Sequence, residues 1–247
     1  MSSRNSRPFG PCRLGGFAAC SALALAAPAA PAQPSAEGAA RLAAGVWAYV
    51  NAEGDVLVSG SFTGAPPDDA LLPDALAARQ RFDFRTDDPV LGCGPPGMPR
   101  ALTAGSPMTF AWTDGLLTIH YESMDVERVV TMEGAPPDAS VARTPNGYAT
   151  GRWDGSTLVI STSRLDARVV DLLGTPKSDA LTLEERYTVD AGDGETYLRV
   201  DLVMNDRKVF RTPYVWHFDF VLRPDWELME YDCVERPVEL TPGVVPD

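Results

Sequence analysis

From Gly45 onward the chain alternates apolar and polar positions with a period of two, which predicts strands far more often than helices. Trp47-Ala48-Tyr49-Val50 and Val56-Leu57-Val58 flank an Asn-Ala-Glu-Gly-Asp turn and read as a first hairpin. Further strands are expected over 108–113, 116–123, 126–132, 148–153, 157–162, 181–190, 197–204, 209–222 and 226–231. Asp154-Gly155 between two of them suits a type I′ turn, whose central residues both need positive φ. Pro73 to Arg81 is the one helix the pattern supports, opened by a proline in its first turn. Residues 93–99, Cys-Gly-Pro-Pro-Gly-Met-Pro, exclude regular structure and read as an arm. The stretch 134–146 is a long proline-rich loop, able to act as a lid or to cross a barrel end.

Eight or nine strands at hairpin spacing point to an all-β fold. The expected form is a single antiparallel up-and-down β-barrel, lipocalin-like, with a β-sandwich as the alternative. Residues 33–107 would form the N-terminal hairpin, short helix and arm packed on a main barrel of 108–247, all in one structural domain.

Alternation also assigns faces, and here candidate chemistry enters. On 126–132 the apolar face carries Val126, Val130 and Met132 together with Arg128. On 181–189 it carries Leu181, Leu183, Tyr187 and Val189 together with Glu185. An unpaired charge inside a barrel is very costly, so Arg128 and Glu185 are expected to meet. With Tyr187 they form the candidate catalytic set, Glu185 as acid/base and Arg128 orienting a carboxylate or enolate. Tyr121, Trp153, Trp216 and Phe218 are the candidate ligand-binding residues around them. A structural ion pair that fixes barrel register is the other reading of the same two charges.

His120 and His217 fall on outward faces. Ser156, Ser161 and Ser178 lack a nucleophile elbow, and no phosphate loop or HExxH motif occurs, so neither a cofactor nor a metal site is expected.

Composition places the chain outside the cytoplasm. Arg4, Arg7 and Arg13 precede an uncharged run from Leu14 to Ala27, and Ala30-Pro31-Ala32 offers a cleavage site, so 1–32 reads as a secretory signal peptide. Those residues contain no acid, so their removal takes the formal net charge from −13 to −16. Such a charge excludes a nucleic-acid partner, and no membrane insertion is expected after cleavage. A periplasmic or secreted location would oxidise the two remaining cysteines, Cys93 and Cys233, to one disulfide.

Several segments together resemble a widespread family of secreted bacterial proteins of unassigned function. They are Gly45-Val46-Trp47, Asp88-Pro89, Cys93 to Arg100, Arg128 to Gly134, Gly151 to Thr162, Ser178 to Leu181 with Glu185-Arg186-Tyr187, and Asp206 to Pro213. The resemblance covers nearly all of the mature chain and implies the same fold class and compartment. This chain has Lys177 and Pro136-Pro137 where the family pattern has histidine and His-Pro, so chemistry resting on those histidines is not expected.

The sequence thus predicts an exported barrel that binds a small apolar or aromatic molecule. A cofactor-free lyase, isomerase or hydrolase using Glu185 and Arg128 is one alternative, and a structural envelope protein with a filled barrel is the other. Oligomeric state is not encoded in any feature of the sequence.

Overall fold

Nine strands close into a barrel in which each pairs with its neighbours in chain order. They are β1 (Val46–Val50), β2 (Met108–Thr113), β3 (Leu116–Tyr121), β4 (Val126–Met132), β5 (Tyr148–Asp154), β6 (Thr157–Ser163), β7 (Thr182–Gly192), β8 (Glu195–Asn205) and β9 (Tyr214–Arg223). The computed structural model describes residues 36–57, 64–192, 194–231 and 233. The predicted leader, 1–32, and Val58 of the first hairpin lie outside the described residues.

Eight of the nine pairings are antiparallel, and β4 with β5 is parallel, in the register Thr131 to Thr150. This corrects the all-antiparallel expectation, and the reason is parity. Directions that alternate around a ring close only for an even number of strands, so a ring of nine needs a parallel neighbour. A parallel pair cannot be joined by a tight turn. The loop 133–147 is therefore a return strap. It leaves the end of β4, returns to the start of β5, and is held by Arg164 Nε on the Val141 carbonyl and Asn146 on the Glu127 carbonyl. Gly151 serves the same junction: a Cβ there would lie 2.6 Å from Met132 Sδ.

Turn chemistry explains the hairpins. Asp114 and Gly115 join β2 to β3, both at positive φ as type I′ requires. Between β5 and β6 the loop residues are Gly155 and Ser156, because Asp154 still pairs with Thr157. Only Gly155 has positive φ, which is the type II′ pattern and not the expected I′ turn on Asp154-Gly155.

β1 is a stave of the barrel, paired with β9 over its whole length, and not part of a hairpin packed on a barrel of 108–247. Among the described residues, its expected hairpin partner makes the bridge Val50 to Val56, with Leu57 N donating to the Tyr49 carbonyl. Towards β2 it shares a single pair, Trp47 with Met108. The expected strand at 226–231 is absent, and β9 starts at Tyr214 because 206–213 is a turn closed by the Asp206 carboxylate. The helix Pro73–Arg81 is present, here α2, and three short helices join it: α1 (Ala36–Leu42), α3 (Phe84–Asp87) and α4 (Arg100–Thr103).

Both ends of the barrel are covered. At the upper end, where the β5–β6 and β7–β8 turns lie, α1 is latched by the Trp47 indole donating 2.8 Å to the Leu42 carbonyl. Leu42 itself is buried. At the lower end the arm folds in: Met98 N donates to the Pro145 carbonyl, and Met98 is fully buried beside Ala101 and Leu102. Arg100 grips Asp88 through two bonds of 2.6 and 2.5 Å, both side chains buried. Cys93 and Cys233 form the predicted disulfide, although Cys233 lies in no strand.

Candidate functional site

Period-two alternation carries Arg128 of β4 and Glu185 of β7 into the barrel, where they meet. Arg128 Nη1 and Nη2 each donate 2.7 Å to a different Glu185 oxygen, and Nη2 also donates 2.6 Å to Thr162 Oγ1 on β6. Tyr187 donates 2.7 Å to the same carboxylate. The Tyr121 hydroxyl lies close enough to feel Arg128 and Glu185, but makes no hydrogen bond of ordinary geometry. Burial opposes charge on Arg128, yet the Glu185 carboxylate outweighs it and the guanidinium stays above its ordinary value. Burial, then the Glu185 charge, pushes the Tyr187 phenol well up. Four predicted residues are therefore brought together.

The group is sealed. Arg128, Glu185, Tyr121 and Tyr187 expose 1 % of their surface or less. A void wide enough for one water would give these side chains accessible surface, so the barrel is solid at their level. Glu185 has its oxygens occupied by two guanidinium donors and a phenol, and no substrate atom can approach it without unpacking the core.

The other predicted ligand residues lie elsewhere in the barrel. Phe218 is buried on β9, level with Tyr187 through Val200. Trp216 continues a ladder from it, 5.4 Å between ring centroids, and on to Tyr214 and Phe210 towards the lower end. Trp153 lies at the upper end of β5, stacked at 5.9 Å and 28° on Trp112 of β2. Both indole N–H groups are buried without an acceptor among the described residues. Trp112 was not singled out in the sequence, although Met108-Phe110-Trp112 alternates inward as clearly as the strands that were. Beside this end lies a crevice of about 370 Å³ between α1, the β5–β6 turn and β7, lined by Glu37, Arg41, Leu42, Ser156, Tyr187 and Val189 among others.

His120 and His217 point outward as expected, against Asp125 and Asp201 at 2.5 and 2.7 Å. Arg186 pairs with Asp154 at 2.8 Å on the outer wall. Among the described residues there is no cluster of three or more His, Cys, Asp or Glu that could hold a metal, and no helix long and apolar enough to cross a membrane.

A further buried charge lies under the lower end. Lys177 Nζ donates to the Met98 carbonyl and lies 3.7 Å from Asp166. Burial pulls its ammonium down to about 8, against the opposing pull of Asp166. The folded value lies below the ordinary 10.5, so between pH 8 and pH 10 the unfolded chain holds a proton the folded chain has released. Stability is expected to rise with pH through that window. Above 10 the trend reverses, because folded Tyr121 and Tyr187 keep protons that the unfolded chain gives up. Urea unfolding at a series of pH values checks this: Lys177→Met should abolish the rise, and a wild-type curve flat from 8 to 10 would refute it.

Comparison with protein-family models, curated proteins and solved structures finds no match for this chain.

Proposed function

We propose that this protein is an exported, non-catalytic binding protein whose barrel interior serves the fold and whose ligand contact lies at the upper mouth. The observation that carries the reading is the contrast between the sealed Arg128–Glu185 centre and the open crevice beside α1. A space of that size falls within the range of small-molecule sites, and apolar Leu42 and Val189 line it beside Glu37, Arg41 and Ser156. The expected apolar or aromatic ligand is retained, but its place moves from the core to the mouth. The catalytic alternative draws no support from a carboxylate held by three donors and shut off from solvent.

Native mass spectrometry of the protein purified from a periplasm tests the reading. A small molecule is expected to co-purify, and Glu185→Gln should lower stability while leaving the retained molecule in place. Loss of that molecule at intact fold would return the site to the core. An empty protein would overturn the binding reading in favour of a filled, structural envelope barrel.

A further inference from the structure

Acids outnumber bases in this chain, and most of its cations are taken up by a carboxylate. Among the described residues, Arg81, Arg152, Arg164, Arg207 and Arg211 are the basic side chains that form no ion pair. Arg164 is engaged with the Val141 carbonyl instead. Arg207 and Arg211 stand four residues apart and line one cleft.

That cleft, of about 380 Å³, lies at the lower end between Leu72 and the connection from β8 to β9. Asn205, Arg207, Arg211, Thr212 and Pro213 line it and are exposed, and Leu72 is half-buried, so each can meet a molecule from solution. The backbone that carries the arginines is fixed on both sides. The Asp206 carbonyl accepts from Val209 N at 3.1 Å and Phe210 N at 2.8 Å, closing one turn. Leu72 N donates 2.8 Å to the Val209 carbonyl, and Arg211 N donates 3.0 Å to the Ala70 carbonyl. A frame already in place lowers the ordering cost of binding. The acids nearby do not neutralise the pair. Asp206 lines the cleft, but its buried carboxylate already accepts from Ser178 N, Ser178 Oγ and Lys208 N. Asp69 and Asp74, which flank Leu72 in sequence, are exposed and pair with neither arginine. Lys208, on the same turn, is held by Asp179 at 2.6 Å.

We infer that this cleft binds the phosphate monoester group of an organic molecule, Arg207 and Arg211 clamping its oxygens and Leu72 and Pro213 receiving its organic part. The site is separate from the upper mouth and does not depend on it. Guanidinium forks match phosphate oxygens and are more weakly hydrated than ammonium groups. Two cations left free of counter-ions balance a monoester, which is close to a dianion near neutral pH. The exposed Thr212 hydroxyl and Asn205 amide add neutral donors at the rim. The net negative charge of the chain repels anions at a distance, so local contacts of this kind have to hold one. The volume exceeds the needs of a bare ion and falls within the range of small-molecule sites.

Phenyl phosphate is the probe, titrated calorimetrically into the purified protein at neutral pH and low salt. Binding at millimolar concentration or below is expected. Arg207→Gln and Arg211→Gln should each weaken it about tenfold, since each removes a charge-assisted contact. Arg152→Gln removes the same charge from an exposed position on β5 and should leave binding unchanged. All three substitutions alter exposed side chains, so urea unfolding should match the wild type. Inorganic phosphate and phosphatidic-acid vesicles distinguish the sources. Inorganic phosphate bound more weakly than phenyl phosphate, with both lost in the two variants, supports a soluble monoester. Vesicles that co-sediment with the wild type but not with the two variants support the same clamp with a lipid as its source. No binding of any of the three probes would overturn the inference. Equal weakening by Arg152→Gln would overturn it too, because net charge and not the cleft would then account for the effect.

Discussion

Arg128→Met is expected to destabilise the protein by about 3–5 kcal/mol, since it strands the buried Glu185 carboxylate without its partner. Small domains have only about 5–15 kcal/mol in total, so the variant should be partly unfolded at growth temperature. Glu185→Leu added to Arg128→Met removes the stranded charge and fills its volume with apolar atoms. The double variant should regain most of the loss, with about 1 kcal/mol outstanding because Tyr187 keeps a hydroxyl that has lost its acceptor. Urea unfolding of the two single variants and the double variant forms a cycle that isolates the pair. A single-variant cost within the scatter of surface substitutions would mean that water reaches Glu185, and the solid-barrel description would fall.

Loss of the Cys93–Cys233 bridge should cost about 2–5 kcal/mol, towards the upper end because the enclosed loop is long. The sequence separation is 140 residues, and the covalent loop contains β2 to β9 but not β1. β1 is inserted between the two ends of that loop, fully paired with β9 and sharing with β2 the one strand pair Trp47 with Met108. The bridge thus closes the barrel around its most thinly paired stave. In Cys93→Ser with Cys233→Ser, amides of β1 should lose hydrogen-exchange protection before those of β7 and β8, which pair along their whole lengths. Uniform loss of protection around the ring would contradict this account.

The barrel and its central pair were legible in the sequence because a period of two leaves no ambiguity once one face is apolar. Arg128 and Glu185 announced themselves as charges where leucine or valine belonged. The parallel junction was not legible, because direction is set by the closure of the whole ring and not by any local residue. The type of the β5–β6 turn was misassigned by one position, since Asp154 can either end a strand or begin a turn. α1 was missed for want of length: Ala36–Leu42 is too short for helical periodicity to show. The sequence pointed to Trp153 at the upper end of the barrel but not to its stacking partner Trp112. The lower-end lysine was noticed only as a departure from a pattern, because its burial depends on an arm rich in proline and glycine that no periodicity describes.

The strap at 133–147 has a consequence for how such a chain can change length. To return from the end of β4 to the start of β5 it must span one strand, about seven extended residues at roughly 3.3 Å each. It is about twice as long as that, so insertions and modest deletions should pass unnoticed there. Once the slack is gone, however, the two parallel strands can no longer stand side by side, and an odd ring without a parallel neighbour does not close. Tolerance in this connection is a threshold and not a slope: silent trimming up to a limit, and beyond it a different number of strands.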